Sequence, residues 1–134
     1  MQQPELKQPV EHIEKKSRFI GYAQRVQTAD EAKAFIARVA GQHKKAGHVT
    51  YAYILSGQSG QGAIGQEVSL RTVKMSDDGE PKGTAGLPIY SIIEKRGMTD
   101  VCVVVVRYFG GVLLGKGGLI RAYGKTAGAV LETL

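Results

Sequence analysis

The sequence predicts an α+β domain, a two-layer α/β sandwich with helices on one face of a four- to five-stranded sheet. Three observations lead there. Residues 101–106, VCVVVV, are a β-branched run too apolar to face water along its length. Thr28 and Glu31 form a T-x-x-E capping box, which opens a helix on the heels of a strand-like segment. Glycine-rich punctuation then divides the chain into the order β(β)αββαβα.

Each element has its own warrant. Residues 1–9 are polar, with Pro4 and Pro9, and read as a loose arm. Residues 10–26 alternate apolar and polar around 15–17, as one bent strand or two paired ones. The capped helix places Ala32, Phe35, Ile36 and Val39 at helical spacing and is expected to end near Gly47. Residues 48–55, HVTYAYIL, form a strand with Val49, Tyr51, Tyr53 and Leu55 on one face and His48, Thr50, Ala52 and Ile54 on the other. A flexible loop follows over 56–65, with Ile64 as its one core-forming residue, and then a strand over roughly 66–74 with Val68, Leu70 and Thr72 on one side.

The turn-rich acidic stretch DDGEPKGTAGLP leads into a second helix. Thr84 or Gly86 caps it, Pro88 suits its first turn, and Ile89, Ile92 and Ile93 form its apolar face. Lys95 and Arg96 suit its C-terminal end, and Gly97 stops it. A last helix spans about 118–133. Its inward residues are Ile120, Tyr123, Ala127, Val130 and Leu131, while Arg121 and Lys125 point outward.

The 134 residues make one domain, 1–134, with no internal repeat and no linker. Net charge is +6 with a pI near 9.5, which favours acidic partners. Residues 1–50 carry nine Lys/Arg against five Asp/Glu and residues 101–134 four against one, whereas the middle carries five against six. Cys102 is the lone cysteine and lies inside the apolar strand, which excludes an intramolecular disulfide framework. No run approaches about 18 apolar residues and the N-terminus has no signal-peptide core, so the chain reads as cytoplasmic with no membrane partner.

Two glycine-rich loops carry the chemistry. Residues 110–117, GGVLLGKG, approach a phosphate loop, but Gly117 stands where a Mg²⁺-binding hydroxyl is needed and no second metal-holding aspartate follows a strand. Nucleotide hydrolysis is not expected. Backbone N–H groups at Gly115, Gly117 and Gly118, beside Lys116, still suit an anion. Asp77, Asp78 and Glu80 are candidates for metal or acid–base work, but are expected instead to be structural. On that reading Asp77 or Asp78 caps a turn or helix, and Glu80 pairs with Arg107 or Arg121. His48 reads as a satisfied core histidine, while His12 and His43 fall in exposed contexts. No nucleophile, metal set or cofactor motif appears, so no catalytic residue is assigned. Lys82, Arg107, Lys116, Arg121 and Lys125 form a basic set, with Tyr108 and Phe109 as stacking faces for RNA. The alternative seats both rings in the core and leaves the cations solvated; both readings stand.

Lys16-Ser17-Arg18-Phe19-Ile20, His48 with Ala52, DDGEPKGTAG at 77–86 and VVVRYFGGVLLGKGGLIRAY at 104–123 closely resemble the IMPACT family, whose bacterial members are the YigZ-type proteins. The match runs from about residue 13 to the end. The resemblance implies a ribosomal protein S5 domain 2-like fold, a role in translation regulation without catalysis, and RNA, the ribosome or a translation-associated protein as partner. Eukaryotic relatives act by protein contact, binding the activator of a kinase that phosphorylates an initiation factor. A protein–protein module is therefore one alternative, and a small-molecule or phosphate-binding enzyme using the GGVLLGKG loop is another. Bacterial members usually carry a ferredoxin-like domain of roughly seventy residues after this one, which is expected to be absent here, since the sequence stops at Leu134.

Overall fold

The valine run that reads as buried is the hub around which the other strands assemble. In the computed structural model, which describes residues 6–57, 59–61, 67–69 and 71–134, the elements follow in this order: β1 (Val10–Glu14), β2 (Ser17–Arg25), α1 (Ala29–Gln42), β3 (His48–Leu55), β4 (Ser59–Gln61), β5 (Glu67–Ser69), β6 (Thr72–Ser76), α2 (Gly86–Lys95), β7 (Val101–Tyr108) and α3 (Gly115–Leu131). Residues 1–5 of the N-terminal arm, Ile64 and Leu70 lie outside the described residues.

Five strands form an antiparallel sheet in the order β1-β2-β7-β3-β6, so the class and strand number are as expected. The N-terminal segment is two paired strands, joined by Lys15 and Lys16 at φ of 44° and 69°, a two-residue turn between the partners Glu14 and Ser17. The single strand expected over 66–74 is instead two. β4 and β5 pair with each other as a separate small sheet, and β6 joins the main sheet beside β3 with Leu55 opposite Thr72.

The expectation that all helices share one face is corrected. α2 and α3 cover Phe19, Ala23, Ala52, Ile54, Val101, Val103 and Val105. α1 lies on the other face, where Ala32, Phe35 and Val39 cover Tyr22, Tyr53, Cys102, Val104 and Val106. The reason is in β7 itself, whose residues 101–106 are all buried, on both faces. Leaving Val104 and Val106 to water would forfeit roughly 1.5–3 kcal/mol each. Topology supplies the cover. β2 and β3 both run antiparallel to β7 and hence parallel to each other, so the link between them must cross the sheet, and α1 is that crossover.

Helix ends also depart from the local pattern. The Thr28 hydroxyl accepts the Glu31 N–H at 3.1 Å, as the capping box requires. α1 nonetheless stops at Gln42, short of Gly47, because His43 leaves the helix to insert its ring between two tyrosines. Its Nε2 lies 2.7 Å from the Tyr22 hydroxyl and its Nδ1 2.7 Å from the Tyr108 hydroxyl, so His43 is half-buried rather than exposed. α3 begins at Gly115 and buries Leu119, Ala122 and Tyr123, a phase that turns Ile120 outward to 44% exposure. Ile120 was expected inside and is not.

His43 makes stability depend on pH. Burial holds its pKa below the ordinary 6.5, and the Arg18 charge pushes it the same way. The unfolded chain therefore binds the proton more readily, so this contribution is complete above pH 6.5 and is lost as pH falls through the folded value. Urea unfolding between about pH 7.5 and 5 should show wild type losing stability faster than His43→Gln. Parallel curves would remove His43 as the cause.

Candidate functional site

Arg107 sits one residue from the end of β7, where the strand leaves the core between Phe19 of β2 and His48 of β3. A guanidinium there is only 8% exposed and needs a partner. Glu80, on the loop before α2, supplies it. Arg107 Nε donates to Glu80 Oε2 at 2.6 Å and Nη2 to Oε1 at 2.7 Å, a bidentate fork. The Tyr123 hydroxyl of α3 donates to the same carboxylate, and His48 Nε2 stands 3.4 Å from Oε1. Arg107 Nη1 donates to Ser17 Oγ at 3.3 Å, and so does the Gly110 N–H at 3.3 Å. Among the described residues no buried polar side-chain atom lacks a partner.

The electrostatics follow from that arrangement. Burial works against the charge on Arg107, and the Glu80 carboxylate more than offsets it, so the guanidinium pKa ends above its ordinary value. Burial, then the hydrogen bond to Glu80, raises the Tyr123 phenol, which stays a proton donor. His48 Nδ1–H donates to the Asp78 carbonyl at 2.8 Å, tying the ring to the acidic loop.

All three acids of that loop are engaged within the fold. Asp77 accepts N–H bonds from Gly83, Ala85 and Gly86 at 2.9, 3.1 and 2.8 Å, so it caps α2 from a distance. Burial opposes ionisation of Asp77, but those three N–H donors outweigh it and lower its pKa. Thr84 and Gly86, the capping residues expected from local sequence, supply no side-chain cap, and Thr84 instead donates to the Pro81 carbonyl. Asp78 accepts the Val49 N–H at 2.7 Å at the start of β3. Among the described residues no group of three or more His, Cys, Asp or Glu side chains is placed to hold a metal.

Above this base lies the 109–116 loop. The Phe109 ring lies against the Arg107 guanidinium at 5.7 Å, and the Phe19 ring stands 6.0 Å from it. Phe109 is 54% exposed and Leu113, at the loop's crest, is 82% exposed. Beside them opens a hollow of about 320 Å³ bordered by Pro81, Phe109, Leu113, Lys116 and Leu119.

The structure separates the basic set. Arg107 is inside the ion pair; Lys82, Lys116, Arg121 and Lys125 are exposed. Lys116 borders the hollow, whereas Arg121 and Lys125 line a different groove with His12 and Glu14. The two aromatic neighbours part as well. Tyr108 is half-buried on the α1 side, bonded to His43 and covered by Arg18 at 5.5 Å, and only Phe109 offers an open ring. Gly115 starts α3 at φ +74°, while Gly117 and Gly118 follow in its first turn. Sequence reasoning missed Ser17, His48 and Tyr123 as partners of the pair. It also missed the exposure of Leu113. For Tyr123 the signal was its hydroxyl, which must find a partner when buried.

No helix among the described residues is long and apolar enough to cross a membrane. The family pattern described as the Impact N-terminal domain matches residues 15–131. The IMPACT family member YvyE of Bacillus subtilis is 46% identical over 123 residues, which take in 90% of this chain and 52% of that protein. The IMPACT family member YigZ of Escherichia coli is 39% identical over 125 residues, covering 93% of this chain and 56% of YigZ. A crystal structure described as that of a hypothetical protein matches with a TM-score of 0.80 and 37% identity, over 94% of this chain and 57% of that one. The two-domain translational regulator Yih1 shares the fold at a TM-score of 0.54 and 22% identity, over 95% of this chain and 45% of that one. The chain spans a little over half the length of the curated relatives it matches. It belongs to the IMPACT family, over that family's N-terminal domain.

Proposed function

We propose that this domain regulates translation by binding rather than catalysis, and that its 109–116 loop docks the ribosome or a ribosome-associated protein. The carrying observation is Leu113, 82% exposed beside a half-exposed Phe109, on a loop anchored to a fully bonded buried network. Apolar side chains held open on a rigid base bind without the cost of ordering a flexible segment. A binding role fits the acidic loop, whose carboxylates are all spent on structure. The translational role is supported by family membership and by the description of Yih1 as a translational regulator. Direct RNA contact is a second reading, supported by the exposed Lys82, Lys116, Arg121 and Lys125 and the net charge of +6.

Immobilised domain is incubated with cell extract, with and without RNase. RNase-resistant capture of ribosomal proteins is expected, falling by about thirtyfold in Leu113→Asp, the effect of a hot spot worth about 2 kcal/mol. Capture that vanishes with RNase, survives Leu113→Asp and is lost in Arg121→Glu/Lys125→Glu would replace the first reading with RNA binding.

A further inference from the structure

We infer that the groove between α2 and α3 is a second docking site, distinct from the 109–116 loop, and that its occupant is an acidic amphipathic helix of a partner protein. The groove is apolar where two helices of a finished domain ought to be sealed. Leu87 on α2 and Ile120 on α3 are 49% and 44% exposed, and between them lies a hollow of about 270 Å³ lined also by Pro88, Ile92 and Gly124. An adjoining hollow of about 350 Å³ shares Ile92, Ile120 and Gly124 and continues toward β1. Gly124 lines both hollows, and a Cβ added there would meet only Ile92 Cγ1, at 3.9 Å, an ordinary contact, so the position has room for a larger side chain.

Charge selects the occupant. Arg121 and Lys125 project at the β1 end, exposed and without an ion-pair or hydrogen-bond partner among the described residues. The single carboxylate lining the groove, Glu14, lies 3.5 Å from His12 Nε2. An apolar floor with a cationic rim is complementary to a segment with apolar residues on one face and Asp or Glu beside them. A helix is the form that fits. Each wall spans five residue steps, from Leu87 to Ile92 and from Ile120 to Lys125, about 8 Å of helix rise, which seats a pair of side chains at i and i+3 or i+4, with a third at i+7 reaching the groove's end. A nucleic acid would use the cations but leave Leu87 and Ile120 unexplained.

The test uses a fluorescent peptide of about fifteen residues, leucine at i, i+3/i+4 and i+7 and glutamate on the flanks. One control is a scrambled copy and the other has lysine for every glutamate. Micromolar binding of the acidic helix is expected, weakened about tenfold or more for both controls. Amide shifts should centre on Ile92, Ile120 and Gly124. Gly124→Leu, which fills the groove, and Lys125→Glu, which reverses the rim, should each weaken binding about tenfold or more, while Leu113→Asp leaves it unchanged. Absence of binding, equal binding of the lysine copy, or shifts confined to 109–116 would each overturn the inference, as would self-association through the groove. Since Leu113→Asp separates the two surfaces, this site can fail while the proposed loop function stands.

Discussion

Replacing Arg107 by methionine is expected to destabilise the domain by about 3–5 kcal/mol in urea unfolding. Methionine keeps much of the apolar stem, so the loss isolates the charge. Glu80 would remain 94% buried with its two strongest donors gone, and neither Tyr123 nor His48 carries the fixed charge that the guanidinium brings. Leaving one member of a buried pair uncompensated is costly, whereas removing both is often neutral. The double variant Arg107→Met/Glu80→Met should therefore recover most of the loss, giving a coupling energy of more than about 2 kcal/mol in the cycle. A shift below about 1 kcal/mol for Arg107→Met would mean that the pair is solvated, and would return Arg107 to the set of residues free to meet a ligand.

That pair shows where sequence reasoning reaches and where it stops. A cation ending a buried strand must be met by an acid, and Asp77, Asp78 and Glu80 were the nearest in chemistry. Glu80 is the acid expected to pair, with Arg107 or Arg121; that it meets Arg107 depends on how the 77–86 loop folds back over β7, with Asp77 and Asp78 drawn to α2 and β3. Other features were readable but needed a stricter use of period. Alternation along β7 sends Tyr108 and Phe109 to opposite sides, so they were never one stacking platform. The unbroken burial of 101–106 already demanded cover on both faces, which a one-sided sandwich cannot give. On α3, the one-position difference between Leu119 and Ile120 is a rotation of about 100°, enough to exchange core for surface. The remainder was not local. His43 is tied to Tyr22 and Tyr108, 21 and 65 positions away in the chain, and Leu113 reads as core in any apolar run until the loop's path lifts it out.

A single methyl group at position 110 is expected to cost at least about 3 kcal/mol, above the usual range for overpacking. A Cβ built on Gly110 falls 2.1 Å from both the carbonyl carbon and the oxygen of Lys16. Those are backbone atoms of a two-residue turn whose ends are fixed by the Glu14–Ser17 pairing, so no side-chain rotation can make room. Relief must come from one of two movements. Displacing the turn unpairs the β1–β2 hairpin. Displacing residue 110 breaks its N–H bond to Ser17 Oγ, which Arg107 also uses, and lifts Phe109 from the guanidinium. The control is Gly111→Ala. Position 111 has φ +88° but no atom within 4 Å of an added Cβ, so it carries only left-handed strain of about 1–2 kcal/mol. Urea unfolding of the two variants should therefore differ by at least about 1 kcal/mol, with Gly110→Ala the weaker. Its amide shifts should change at Ser17 and Phe109, and its loop should bind partner more weakly than that of Gly111→Ala. Equal stabilities would mean that the hairpin turn yields freely, and that the 109–116 loop is not anchored by it.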